Sequence, residues 1–147
     1  MDKNLVYLVQ TDTTVGFSSL NGEKLSRIKQ RPLGQKILQT LDSFKTLNNM
    51  TRVPKNFRRR VRRSTKSTFI YPNLKSFRVI SKDDSFYPFI CKFSNLYSTS
   101  ANHTGKSFDF GFAYKNSDVI IYSKSEFGEK SSSNIYKITK KKISKIR

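Results

Sequence analysis

The chain has 147 residues, long enough for one hydrophobic core and too short for two, so residues 1–147 are expected to form a single domain. Its 29 Lys and Arg against 10 Asp and Glu give a formal charge of +19, a field that favours polyanions. One cysteine and one histidine exclude an internal disulfide and a Cys/His zinc centre, so no protein-bound metal is expected.

The segment "LVYLV" (5–9) is a short continuous apolar run of the kind buried strands show. The start "MDKNLVYLVQTD" carries an early acid, and its apolar run is too brief for a signal peptide or a membrane span. The expectation is a cytoplasmic chain without a membrane role, whose sequons at Asn49 and Asn102 stay unmodified. "QTDTTVGFSSLNG" reads as a Thr/Ser/Gly loop, and "GEKLSRIK" as a helix with Leu25 and Ile28 on one face, closed by Pro32. "KILQTLDSFKTL" fits either one helical face or a strand over 36–41 followed by a helix.

From Arg52 to Lys66, "RVPKNFRRRVRRSTK" holds eight basic residues and no acid. An AT-rich genome enriches lysine with no partner involved, but accounts less well for arginines; a solvated face is the plain reading. "STFIYP" and "SFRVIS" predict two strands joined by a Pro-Asn turn. "DDSFYPFICKFSN" predicts a helix, with Phe86, Phe89, Ile90 and Phe93 at helical spacing and Cys91 as an inert buried thiol. "DVIIYSK" predicts a strand, and "NIYKIT" with "KKISKI" a closing hairpin with its lysines outward. Strands alternating with short helices point to an α/β sheet.

Several motif matches fail on context. "DFG" (109–111) has no glycine-rich loop or HRD-type loop beside it, and no Walker loop, GxGxxG or GxSxG elbow is present. Ten scattered acids make paired-carboxylate catalysis weak. Three segments remain. "IKQRP" places Lys29 and Arg31 two apart at a helix end, where a point charge and a planar fork can share one phosphate chain. "STSANHTG" offers Ser100 and Asn102 in a loop after a strand, with hydroxyl, amide and backbone N–H groups for a phosphate. "QTDTTVG" adds Thr11 and Thr13 at a strand end. Taken singly, the first is also a solvated helix end and the second an ordinary Asx or Ser turn.

Taken in this order, the segments resemble the YrdC/YciO-like family, the threonylcarbamoyl-AMP synthases. The family's PTDTVYGLG-like loop is similar to "VQTDTTVGFS", its KxRP to "IKQRP", and its PGPVT strand to "STKSTFIYP", which keeps Thr68. Its AVRVP-like strand is similar to "SFRVIS", its SANLSG to "SANHTG", and its PSTIVD to "SSNIYKI". The correspondence runs from about residue 5 to 138, with the KxR and SAN blocks the most specific.

The resemblance implies a twisted mixed parallel/antiparallel α/β sheet with flanking helices and a basic concave surface, and it makes 36–41 a strand. It implies that Lys29, Arg31, Ser100, Asn102 and Thr68 bind ATP, while Arg78, Ser98, Ser133 and Thr11 or Thr13 hold threonine. The implied reaction joins L-threonine, bicarbonate and ATP, with Mg2+ carried by the ATP, into threonylcarbamoyl-AMP for tRNA threonylcarbamoyladenosine. It needs no catalytic side chain, only alignment and positive charge. Implied partners are tRNA or another RNA and the proteins that transfer the threonylcarbamoyl group.

The chain departs from the family pattern in several places. The usual N-terminal helix is missing, and the segment between "FIYP" and "FRV" is short. Pro-Gly-Pro is replaced by sequence around Thr65 and Lys66, and Lys137 stands for the last motif's aspartate. His103 stands where the family has an apolar residue and reads as local drift. The rival expectation is a non-catalytic YrdC-like module gripping double-stranded RNA in the concavity, with Arg58, Arg59, Arg60, Arg62 and Arg63 tracking the phosphates. A role like that of the family's domains in hydrogenase maturation proteins lacks the zinc fingers such fusions carry.

Overall fold

The computed structural model describes residues 1–124 and 126–147. In chain order the elements are β1 (Tyr7–Gln10), β2 (Val15–Ser19), α1 (Gly22–Ile28), β3 (Gln39–Leu41) and α2 (Phe44–Met50). A 3-10 turn (Lys55–Phe57) then runs into α3 (Arg58–Arg63), followed by β4 (Ser67–Ile70), β5 (Ser76–Val79) and α4 (Tyr87–Ile90). The remainder is β6 (Asn95–Ser100), α5 (Phe110–Lys115), β7 (Val119–Ile121), β8 (Asn134–Ile138) and β9 (Ile143–Lys145).

All these strands join one sheet in the order β7-β1-β2-β6-β3-β5-β4-β8-β9. Pairing is parallel at β7/β1, β3/β5 and β4/β8 and antiparallel elsewhere, so the sheet is mixed. This is the fold class that the resemblance implied. Among the described residues no helix is long and apolar enough to cross a membrane.

The period-2 alternation of the strands sorts side chains onto two faces. On one face, Leu41, Phe69 and Phe77 join Leu47 of α2 and Val61 of α3 in a buried cluster. On the same face of the other half, Leu8, Val15 and Phe17 pack with Leu25 of α1 and Ala113 of α5. On the opposite face, Tyr7, Val9 and Leu96 pack with Phe86, Phe89 and Ile90 around α4. The rest of that opposite face is left without a helix, and there Arg78, Ser98 and Ser100 form the floor of a concavity. Each fully buried side chain such as Phe17 or Leu25 contributes about 1.5–3 kcal/mol by leaving water.

Local chemistry explains the helix boundaries. Asn21 caps α1 by accepting from the Lys24 N–H at 3.0 Å, and Ser43 caps α2 by accepting from Thr46 at 3.1 Å. Asp109 of the kinase-like "DFG" accepts from the Phe112 N–H at 3.0 Å, so it is the cap of α5. The ambiguous segment resolves as β3 followed by α2, because Leu41 and Leu47 then reach the same core. The hairpin β8/β9 forms as expected, with Lys137 and Lys145 exposed.

Three readings need correction. The stretch taken as one Thr/Ser/Gly loop is half strand: every position of β2 is buried, since β2 lies between β1 and β6. The helix expected over "DDSFYPFICKFSN" is only one turn, Tyr87–Ile90, because Phe86, Phe89 and Ile90 already fill their pocket on the sheet. Cys91 follows that turn and is exposed, not buried.

Candidate functional site

The concavity has a volume of about 460 Å3 and is walled by the β1–β2 turn, the end of β6, β5 and the segments before β3 and β8. Thr11, Thr13, Arg31, Arg78, Ser98, Ser100, Asn102 and Ser133 all line it. Residues from opposite ends of the sequence therefore meet in one hollow.

One end is built by the exit of α1. Lys29 caps the helix, donating its N–H to Leu25 O at 3.0 Å, and Gln30 adopts φ +52° so that the chain turns sharply. Lys29 then points inward and Arg31 toward the concavity. The Lys29 ammonium donates to Asn102 Oδ1 at 2.9 Å, to Ser100 O at 3.1 Å and to the Asn102 carbonyl; Ser100 Oγ lies 3.5 Å away. Thr104 Oγ1 donates back to Lys29 O at 3.2 Å. Burial, helped by the Arg31 charge, lowers the Lys29 pKa to about 8. Lys29 is only 4% exposed and does not line the hollow; it ties the SAN loop to α1 from behind.

The other end centres on Arg78. Its Nη1 donates to Thr13 Oγ1 at 3.1 Å, and its Nε lies 3.6 Å from Asp12 Oδ1, both side chains being 5% exposed. Burial pushes the Asp12 carboxyl up while Arg78 pulls it down, and burial pushes the Arg78 guanidinium down. Arg78 Nε and Asp12 Oδ1 have no hydrogen-bond partner. Of the two threonines left open by the sequence, Thr13 touches Arg78. The Thr11 hydroxyl closes the β1–β2 turn, accepting from Thr14 N at 3.2 Å and Thr13 N at 3.3 Å.

Ser98 sits on β6 opposite Ser18 and faces the hollow. Ser133 shares a 3.1 Å hydrogen bond with Thr68. Thr68 is buried and does not line the concavity, so in this structure it positions Ser133 instead of facing a ligand. Gly16 is required by close approach: a Cβ there would sit 2.9 Å from Thr99 O and 3.3 Å from Thr11 Cγ2.

Sequence reasoning missed several residues. Asp12 was not singled out, although its place between Thr11 and Thr13 at a buried strand end was a usable signal. Gln10, which stands for the family's proline, accepts from Gly128 N at 2.9 Å. Thr14 pairs with Glu129, whose Oε1 accepts from Phe108 N at 2.6 Å, so residues 128–129 are laced to the first turn. Lys36, Lys130 and Arg147 add charge to the walls, and Arg147 donates to Ser133 O at 3.3 Å. No motif marks these three among so many lysines and arginines.

The arginines of α3 lie elsewhere. Val61 of that helix enters the cluster with Phe69 and Phe77, on the sheet face opposite Arg78. Arg58, Arg59, Arg60, Arg62 and Arg63 are exposed there and none lines the concavity. His103 rests against the Phe112 ring, centroids 3.8 Å apart, outside the hollow. Among the described residues, no three His, Cys, Asp or Glu side chains cluster as metal ligands.

The sheet order and the hollow define a YrdC/Sua5-like α/β fold. The chain is similar to P. abyssi Sua5 complexed with L-threonine, with a TM-score of 0.77 and 16% identity over 98% of this chain and 50% of that one. It is similar to E. coli YciO, with a TM-score of 0.76 and 19% identity over 99% of this chain and 83% of that one. Full-length HypF in its phosphate- and nucleotide-bound form matches with a TM-score of 0.72 and 13% identity, over 98% of this chain and 27% of that one. The chain spans about half the length of the Sua5 chains it matches. No protein-family model and no curated protein sequence matches it.

Proposed function

We propose that this chain is a threonylcarbamoyl-AMP synthase acting in the cytoplasm. It takes ATP with Mg2+, L-threonine and bicarbonate as substrates and supplies threonylcarbamoyl-AMP to the proteins that modify tRNA. The observation that carries this reading is the meeting of two chemically distinct ends in one hollow of about 460 Å3, a volume within the about 300–1,000 Å3 of small-molecule sites. Arg31, Ser100 and Asn102 offer a phosphate grip; Arg78, Thr13, Ser98 and Ser133 offer a cation and hydroxyls suited to an amino acid. The likeness to Sua5 bound to L-threonine and to nucleotide-bound HypF supports it.

In this reaction the threonine amine and bicarbonate give a carbamate and water. A carbamate oxygen then attacks the α-phosphorus of ATP, and the bond to the bridging oxygen breaks to release pyrophosphate. The chain contributes position and fixed charge. Arg78, held by Thr13 and Asp12, would pair with the threonine carboxylate, and Arg31 would hold the phosphates. Lys29 would orient the SAN loop from behind. Each charge-assisted bond contributes about 1.5–3 kcal/mol, so Arg31→Ala is expected to lower activity at least tenfold.

The test follows pyrophosphate release with ATP, threonine and bicarbonate. Threonine-dependent release that is lost in Arg31→Ala and Ser100→Ala supports the synthase; no such release from folded protein sinks it. The second reading, a non-catalytic RNA-binding module, is favoured by one observation. Arg58, Arg59, Arg60, Arg62 and Arg63 of α3 are all exposed and, among the described residues, none is in an ion pair.

A further inference from the structure

Five cations, Arg31, Lys36, Arg78, Lys130 and Arg147, line the hollow, and among the described residues a single acid, Glu129, joins them. Asp12 is buried against Arg78 and Asp109 caps α5; neither lines the hollow. A carboxylate in a site suited to phosphates carries a cost, because like charges repel there more strongly than in bulk water.

Glu129 is fixed in place by its surroundings. Its backbone bridges to Thr14, while the preceding Gly128 accepts from Val15 N at 3.4 Å and donates its N–H to Gln10 Oε1 at 2.9 Å. Thr14 lies two residues before Gly16, whose register partner is Ser100, so the bridge sets Glu129 at the SAN end of the hollow. The side chain turns toward the segment that follows the SAN loop, where Oε1 accepts from Phe108 N at 2.6 Å. That bond needs no charge, since the oxygen of a glutamine would accept it as well. Among the described residues no ion pair engages Glu129. The carboxylate therefore brings to the hollow a negative charge that its own hydrogen bond does not require.

We propose that Glu129 is a ligand to the Mg2+ that ATP carries into the hollow, an inference that rests on the synthase reading for its substrate. Mg2+ is a hard cation that takes one or two carboxylates together with substrate phosphate oxygens and keeps several waters. One carboxylate therefore suffices, although no three acidic, His or Cys side chains cluster among the described residues. A cation between the carboxylate and the phosphates replaces their repulsion with attraction on both sides, so Glu129 selects the metal complex over the free nucleotide. The other use of a lone carboxylate is to pair with the substrate's ammonium. Against it, Glu129 reaches toward Phe108, and no hydrogen bond or ion pair joins it to Arg78 or Thr13 at the amino-acid end.

The test measures ATP binding by calorimetry without threonine or bicarbonate, once with Mg2+ and once with EDTA. Wild type is expected to bind MgATP about tenfold or more tighter than free ATP. Glu129→Gln keeps the acceptor for Phe108 N, and an unchanged melting temperature checks that the fold is intact. This variant is expected to bind free ATP more tightly than wild type and MgATP more weakly, so that the preference drops to about twofold. In steady state, its pyrophosphate release should need more Mg2+ for half-maximal rate, with KM for threonine unchanged. A variant that retains the wild-type preference for MgATP overturns the proposal, and the synthase reading stands if threonine-dependent release persists. A raised KM for threonine with the Mg2+ dependence intact also overturns it, and marks an ammonium partner. If release is absent from wild type while the Glu129-dependent preference for MgATP is seen, the synthase reading fails and the metal ligand stands. Absence of ATP binding under both conditions overturns both.

Discussion

The Lys29 ammonium donates to the Asn102 side-chain oxygen at 2.9 Å, across 73 residues of sequence. This contact joins the two most specific sequence blocks, and it places the lysine behind the loop instead of in the open hollow. Whether Lys29 also serves a phosphate turns on its proton.

Burial has lowered the Lys29 pKa to about 8, whereas a phosphate nearby would raise it. Nucleotide binding near pH 8.5 is therefore expected to take up a proton, and affinity should weaken as pH rises above about 8. Calorimetry in two buffers of different ionisation enthalpy reads the uptake, which Lys29→Arg should abolish because guanidinium does not titrate there. Uptake that is absent in the wild type would favour the purely structural role. The sign for stability is opposite to that for binding. The unfolded lysine, at its ordinary value of 10.5, holds its proton between pH 8 and 10.5 when the folded one does not, so this group's contribution to stability rises with pH across that window.

Asp12 and Arg78 form a buried pair with Nε and Oδ1 3.6 Å apart. Asp12→Ala leaves Arg78 charged and unpaired inside the fold, an expected loss of about 3–5 kcal/mol in denaturant unfolding. Replacing both, as Asp12→Ala with Arg78→Met, should recover much of that stability while threonine binding stays lost. A single variant as stable as wild type would mean that the pair is not held as described.

Gly16→Ala is expected to force β2 away from β6, since the new Cβ would lie 2.9 Å from the Thr99 carbonyl oxygen. Overpacking of this kind costs about 1–3 kcal/mol. The register Gly16↔Ser100 carries the SAN loop, so nucleotide affinity should fall along with the melting temperature.

Cys91 is exposed just past the single turn of α4, with its Sγ 3.4 Å from Pro88 O. A thiol reagent is expected to label it in the native protein at a rate close to that in denaturant. Protection by a large factor would restore the buried thiol that the apolar run "FYPFICKF" implied.

Most of the architecture was legible in the sequence because it rests on local periodicity. Apolar alternation marked β4, β5, β8 and β9, and Leu25, Ile28 and Pro32 marked α1. The failures arise where neighbours override local signals. The polar letters of "VGFSS" hide a fully buried strand, because β1 and β6 satisfy its backbone on both sides and its small side chains fit under the hollow. The helix around Pro88 stops after one turn because three aromatic and aliphatic contacts use up its apolar face.

The sequence by itself determined the charge, the KxR and SAN blocks, Arg78 and those elements with a clear local periodicity, since each depends on residue type and near neighbours. The tertiary structure alone decided which of these residues meet. It brought Arg31, Ser100, Arg78 and Ser133 into one hollow and set Lys29 behind its wall. It also turned the arginines of α3 to the far face. Strand pairing and face alternation are long-range properties: a one-residue change of register in β5 would exchange Arg78 for Phe77, and no local pattern reports which face a helix will cover.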